Sequence, residues 1–163
     1  MLTVPNVITV LRALLIPVIV AYLFRREFGP ALALFLVAAI GDMLDGLIAR
    51  LLDQRSKLGA VLDPAVDKLT TLAVVVAAAW LGIFPVWLAG AAILRDVVIV
   101  GGASAYRLLF GTLEVAPTLL SKVNTFLEFG VIALTLAHAS DLLDAGRWLP
   151  ALYVAVLCTI AAS

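Results

Sequence analysis

The sequence has few residues that could form disulfides or bind charged partners: of its 163 residues, one is cysteine, one is histidine and 13% are charged. The lone Cys158 cannot form an internal disulfide, and because it lies in an apolar run we expect it to pack between helices. Acidic and basic residues balance at 11 each. The net charge therefore gives no indication of a nucleic-acid partner.

What the sequence has in abundance is apolar residues. They make up 64% of the chain, and the mean hydropathy is +1.18, whereas ordinary soluble domains contain about 45–50%. A bilayer core roughly 30 Å thick needs about 20 helical residues per crossing. With no repeat or linker, the sequence predicts one integral membrane domain over residues 1–163 with six apolar segments, at roughly 4–24, 30–52, 60–81, 83–106, 117–139 and 145–162.

These segments are expected to be transmembrane helices, because in lipid each backbone amide must be bonded within its own segment and the runs lack the alternation of barrel strands. No basic region followed by a cleavage site precedes the first segment, so we expect it to be a span. Basic residues near the span ends set the topology. Five of them fall on the side predicted to be cytoplasmic, together with both termini, and three on the other: Arg50, Arg55, Lys57, Arg107 and Lys122 against Arg25, Arg26 and Arg147.

Four aspartates interrupt the second and third segments. A charged residue at the centre of a span costs about 2.5–3.5 kcal/mol, so such residues indicate function. On a helix, Asp42 and Asp45 share one face, and Asp63 and Asp67 share another. Small residues on the same faces leave room for a ligand: Gly46, Ala49 and Gly59.

Carboxylates that converge between two helices would repel one another unless cations neutralise them. Oxygen ligands without histidine or cysteine suit hard ions such as Mg²⁺, Mn²⁺ or Ca²⁺ and argue against zinc. Four negative charges match two divalent cations, with Mg²⁺ or Mn²⁺ expected. Arg50 lies at the same level, and its guanidinium suits a phosphate. The sequence thus predicts a two-metal site for a pyrophosphate.

The pattern that starts at Asp42 and ends at Asp67 fixes eight residues over 26 positions and resembles the signature of the CDP-alcohol phosphotransferase family. The resemblance implies six transmembrane helices, a homodimer and a polar cavity open to the cytoplasmic side. It also implies that Asp42, Asp45 and Asp63 hold the metals, and that Asp67 both binds the second metal and acts as the catalytic base. The residues implied for the CDP site are Gly46, Ala49, Arg50 and Gly59.

Polar residues of the fourth and fifth segments are candidates for the acceptor alcohol: Arg95, Lys122 and Asn124. Arg95 could instead be a structural partner of Asp96, and Lys122 could instead anchor the helix at the interface. A wider similarity, including the segment 117–125, links the chain to the eukaryotic-type cardiolipin synthase group of that family. It implies phosphatidylglycerol as the acceptor. Glu128 departs from it, since that group and the phosphatidylglycerophosphate synthases tend to have glutamine there.

Charge alone does not separate phosphatidylglycerol from glycerol 3-phosphate, which a phosphatidylglycerophosphate synthase would use.

A divalent-cation transporter is the main alternative outside enzymes, because intramembrane acids also mark ion pathways. Spans four to six contain no counterpart of the aspartates, which disfavours transport. We interpret His138 as an interfacial residue and Arg12 as an anchor or a headgroup contact. We expect an integral enzyme of a bacterial cell membrane, with its active site facing the cytoplasmic leaflet.

Overall fold

A computed structural model describes the backbone of residues 4–51, 59–110 and 119–162, and the side chains of residues 9–41, 65–99, 101–102 and 123–162. The described backbone is helical apart from short turns. The six helices are α1 (Val4–Phe24), α2 (Phe28–Leu51), α3 (Gly59–Trp80), α4 (Val86–Phe110), α5 (Leu119–Ala139) and α6 (Leu149–Ala162).

Three helices end in the same way, with a residue in the left-handed conformation. Arg26, Gly82 and Asp141 have φ of 59°, 76° and 58° and follow α1, α3 and α5. At each end the left-handed residue and the next one donate backbone hydrogen bonds to the last turn, as Gly82 does to Ala79 and the amide of Ile83 to Ala78, 3.1 Å each. This closure satisfies carbonyl groups that the helix would leave unbonded.

Two helix starts differ from the sequence prediction by more than two residues. Because residues 81–85 form a turn that includes Gly82, α4 begins at Val86, directly after Pro85, and not at residue 83. Proline lacks a backbone N–H and therefore fits the first turn of a helix. Residues 145–148 form a turn in which the amide of Trp148 donates to the carbonyl of Ala145, so α6 begins at Leu149 rather than at residue 145.

The short connections 25–27, 81–85 and 140–148 join the helices into three hairpins that pack together. Helix α1 packs against α2 and α3, α5 packs against α2 and α6, and α4 contacts α3 and α6. Ring contacts join the hairpins: Phe35 stacks on Phe129 at 5.1 Å, and Phe84 meets Tyr153 edge to face at 5.5 Å.

The apolar core lies at one end of the bundle, next to the three short connections. It contains the second halves of α1, α3 and α5 and the first halves of α2, α4 and α6, with Leu23, Phe35, Val74, Leu88, Leu136 and Tyr153 among its buried side chains. Beyond this core, the buried side chains are largely polar: Thr9, Arg12, Thr70, Thr71, Arg95, Asn124 and Glu128. The fold therefore places a polar interior toward the end where α2 finishes and α3 begins.

The all-α class and the six helices of the sequence prediction are confirmed. Within the described ranges, no helix is both long enough and apolar enough to cross a membrane. The membrane-spanning character that the sequence predicts is therefore not confirmed by the helices.

Candidate active site

Asp67, the predicted base, lies in α3 and faces α1. Arg12 of α1 is only 3% exposed, and its Nη2 atom forms a salt bridge with Asp67 Oδ1 at 3.5 Å. The guanidinium is therefore inside the bundle, so the structure favours neither of the surface roles that the sequence left open for Arg12. The hydroxyl of Thr71 donates to the backbone carbonyl of Asp67 at 3.1 Å, which satisfies this hydroxyl within α3.

The next residue of α3, Lys68, faces α4, because successive helical residues point about 100° apart. Its Nζ donates to Asp96 Oδ1 at 2.6 Å, and Nη1 of Arg95 donates to the same oxygen at 3.0 Å. One carboxylate thus connects two cations from two helices. This geometry is the structural pairing that the sequence allowed for Arg95.

Helix α5 contributes two buried polar side chains on one face, four residues apart. Glu128 is 6% exposed and interacts electrostatically with Asp67, Lys68, Arg95 and Asp96. Asn124 is fully buried, and its Oδ1 atom accepts a hydrogen bond of 2.7 Å from the hydroxyl of Thr159 in α6. The polar interior therefore receives side chains from α1, α3, α4, α5 and α6.

The formal charges of this interior balance among the described residues. Three cations face three carboxylates: Arg12, Lys68 and Arg95 with Asp67, Asp96 and Glu128. The sequence pattern contains three further aspartates and one arginine in α2 and α3, whose side chains lie outside the described set. In their ionised forms these acids exceed the basic groups, so the donor set, which consists of carboxylate oxygens, fits divalent cations.

The structure describes three of the predicted site side chains: Asp67, Arg95 and Asn124. All three are in the polar interior. Among the described residues, no three acidic, histidine or cysteine side chains come together in a way that could hold a metal ion. The side chains of the other predicted site residues lie outside the described set, although the backbone places them in helices: Asp42, Asp45, Gly46, Ala49 and Arg50 in α2, Gly59 and Asp63 in α3, and Lys122 in α5.

Sequence reasoning missed three contacts of the interior: the Arg12–Asp67 and Lys68–Asp96 salt bridges and the Thr159–Asn124 hydrogen bond. The spacing of Asn124 and Glu128 could have signalled a shared polar face of α5. Nothing in the sequence signals Thr159, which lies in an apolar run. His138 lies in the last turn of α5, with its Nδ1 3.3 Å from the carbonyl oxygen of Leu143.

Comparison with known proteins shows the family to which this chain belongs. A model of the CDP-alcohol phosphatidyltransferase family matches residues 2–161. Since this match covers nearly the whole chain, the protein belongs to that family, and the resemblance seen in the aspartate pattern is confirmed.

Individual relatives carry a more specific name. The chain is 34% identical to the cardiolipin synthase (CMP-forming) of Homo sapiens over 83% of this chain and 50% of that protein. It is 38% identical to the protein of the same name from Streptomyces coelicolor over 53% of this chain and 43% of that protein. A Schizosaccharomyces pombe cardiolipin synthase (CMP-forming)/mitochondrial hydrolase fusion protein is 34% identical over 99% of this chain and 30% of its own length. The chain spans half or less of the length of these relatives.

Proposed function

We propose that this protein transfers the phosphatidyl group of CDP-diacylglycerol to phosphatidylglycerol, forming cardiolipin and releasing CMP. The observation that carries the proposal is the similarity to proteins named cardiolipin synthase (CMP-forming), which in the human relative extends over 83% of this chain. The complete aspartate pattern between Asp42 and Asp67 supports the same chemistry.

The reaction forms a bond between the acceptor hydroxyl oxygen and the lipid-side phosphorus, and breaks the bond from that phosphorus to the oxygen that leaves with CMP. Two divalent cations, Mg²⁺ or Mn²⁺, would neutralise the pyrophosphate and the departing phosphate when bound to Asp42, Asp45, Asp63 and Asp67. A carboxylate oxygen of Asp67 accepts the hydroxyl proton. Arg12 holds that carboxylate through its salt bridge at 3.5 Å.

The two substrates use different parts of the polar interior. Around the nucleotide, Gly46, Ala49 and Gly59 leave space and Arg50 binds phosphate. The acceptor binds on the opposite side, because in-line displacement requires the attacking and leaving oxygens to lie on opposite faces of the phosphorus. The acceptor residues are Arg95, Lys122 and Asn124.

The outer surface of the described helices supports a bilayer location. Each of the six exposes large apolar side chains, for example Leu14, Val37, Leu69, Val97, Phe126 and Val154, which are 54–79% exposed. A soluble monomer seldom exposes apolar surface so continuously. We therefore propose an integral membrane enzyme, active as a homodimer.

Its orientation is proposed from the basic residues at the span ends, five against three. Trp80 and Trp87, beside the connection 81–85, and Trp148, at the end of the connection 140–148, are 81%, 52% and 70% exposed, and amphipathic rings suit a headgroup region. The polar interior and both termini would face the cytoplasmic leaflet, and the expected setting is a bacterial cell membrane.

The test is an acceptor assay on purified protein. CDP-diacylglycerol is offered with phosphatidylglycerol, glycerol 3-phosphate, inositol phosphate or serine in separate reactions, and CMP and the lipid product are measured. The proposal expects CMP and cardiolipin with phosphatidylglycerol. Phosphatidylglycerophosphate from glycerol 3-phosphate, without cardiolipin, would assign the alternative acceptor and leave the aspartate roles intact.

A further inference from the structure

Thr159 in α6 fixes the side chain of Asn124 in α5. Its Oγ1 atom lies 2.7 Å from Asn124 Oδ1 and 2.8 Å from the carbonyl oxygen of Val156, one turn earlier in its own helix. Both oxygens are within hydrogen-bond distance of the hydroxyl, which has one proton to donate. The Asn124 amide is thus held by the hydroxyl of Thr159 in the neighbouring helix α6, and not by a group of its own helix α5.

The other end of the same amide is not used by the protein. Asn124 is fully buried, and its Nδ2 atom has no hydrogen-bond partner among the residues that the structure describes. Buried donors are nearly always bonded, because leaving one unbonded loses its interaction with water without replacement. A buried amide with one end held and the other end unused is therefore arranged to donate to a ligand.

The position of the amide indicates which ligand. Asn124 lies one helical turn from Glu128 on the same face of α5, and Glu128 interacts electrostatically with Asp67, Lys68 and Asp96. Asn124 is closer than Glu128 to the start of α5, which lies at the end of the bundle away from the apolar core. Asn124 therefore lies on the face of α5 that Glu128 also occupies, at the end of the bundle in which the proposed acceptor binds.

We propose that Thr159 is a positioning residue for the acceptor: it holds the Asn124 amide so that Nδ2 donates to an oxygen of the glycerol headgroup. This inference rests on the proposed function and deepens it. A glycerol hydroxyl is the fitting chemistry, since it accepts the amide proton and keeps its own proton for Asp67 or another acceptor.

The test compares three variants of purified protein. Thr159→Val keeps the side-chain shape and removes the hydroxyl, and Thr159→Ser keeps the hydroxyl. The matched control is Thr135→Val, which removes a different α5–α6 side-chain hydrogen bond, where Thr135 Oγ1 lies 3.0 Å from the hydroxyl oxygen of Tyr153 at the apolar end of the bundle.

Thr159→Val is expected to raise the KM for phosphatidylglycerol roughly threefold to tenfold, the range for one lost hydrogen bond. The KM for CDP-diacylglycerol should change by less than about twofold, because that substrate does not use the amide. Thr159→Ser should restore the acceptor KM. Thr135→Val should leave both KM values unchanged even where it lowers thermal stability.

Equal acceptor KM values in Thr159→Val and Thr135→Val would overturn the inference, and so would a failure of Thr159→Ser to restore KM, which would indicate a packing role. Should Thr159→Val not purify as a folded protein, Thr159→Ala gives the same comparison. The proposed function fails in a different way, namely by absence of cardiolipin formation in the unaltered protein.

Discussion

Asp96 holds two cations, and its replacement tests whether Arg95 is a structural partner, an acceptor ligand or both. In Asp96→Asn the side chain keeps its shape and one oxygen but loses its charge. Lys68 Nζ at 2.6 Å and Arg95 Nη1 at 3.0 Å would then face a neutral amide. The Arg95 side chain is 7% exposed and has little water to replace the lost charge, whereas that of Lys68 is 38% exposed and can turn to solvent.

The expected cost follows from these exposures. A hydrogen bond to a charged group contributes about 1.5–3 kcal/mol, and removing one partner of a fully buried ion pair costs about 3–5 kcal/mol. Asp96 is 27% exposed and Asn retains an acceptor, so we expect a loss of about 2–3 kcal/mol, mostly from the Arg95 contact. Asp141→Asn, in an exposed turn, is the matched control and should cost less than about 0.5 kcal/mol.

The assay is a double-mutant cycle of Asp96→Asn and Arg95→Gln, with the free energy of unfolding measured by denaturant titration of the purified protein. A coupling of about 1 kcal/mol or more is expected for groups in contact. Additive effects, within about 0.5 kcal/mol, would refute the pairing. Acceptor kinetics then separate the roles: if Arg95 also binds the acceptor phosphate, Arg95→Gln raises the acceptor KM well above the value in Asp96→Asn.

Three further outcomes follow from the site. Excess chelator should abolish CMP release and added Mg²⁺ or Mn²⁺ should restore it, because clustered carboxylates and a pyrophosphate need neutralisation in a low dielectric; full activity in chelator would contradict the metal assignment. Asp67→Asn should lower turnover at least about 10²-fold while CDP-diacylglycerol still binds, as for a lost general base; lost binding with residual turnover would make Asp67 chiefly a metal ligand. Arg12→Met should lower kcat about tenfold, the effect of one lost charged hydrogen bond, whereas Arg147→Met in the exposed turn should not; equal turnover in the two variants would exclude a role for Arg12 in holding Asp67.

The sequence by itself determined the number of helices and most of their limits, because hydrophobic runs and glycine or proline breaks act over a few residues. The prediction for α1, residues 4–24, equals the observed helix. The start of α4 was misplaced, since a left-handed Gly82 followed by Pro85 extends the turn. The aspartate pattern also predicted the family, because its eight residues resemble the family signature, and the match to the family model confirms that prediction.

Only the tertiary structure decided which polar side chains meet. Arg12 contacts Asp67 from 55 positions away, Lys68 contacts Asp96 from 28, and Thr159 contacts Asn124 from 35. Sequence periodicity gives the polar face of each helix but not the neighbour that this face meets, since the meeting depends on the rotation and axial register of two packed helices. That is why Arg12 was interpreted as an anchor or a headgroup contact and its contact with Asp67 was not predicted. It is also why the role of Thr159 was not predicted, since its hydroxyl reaches Asn124 only when α6 packs against α5.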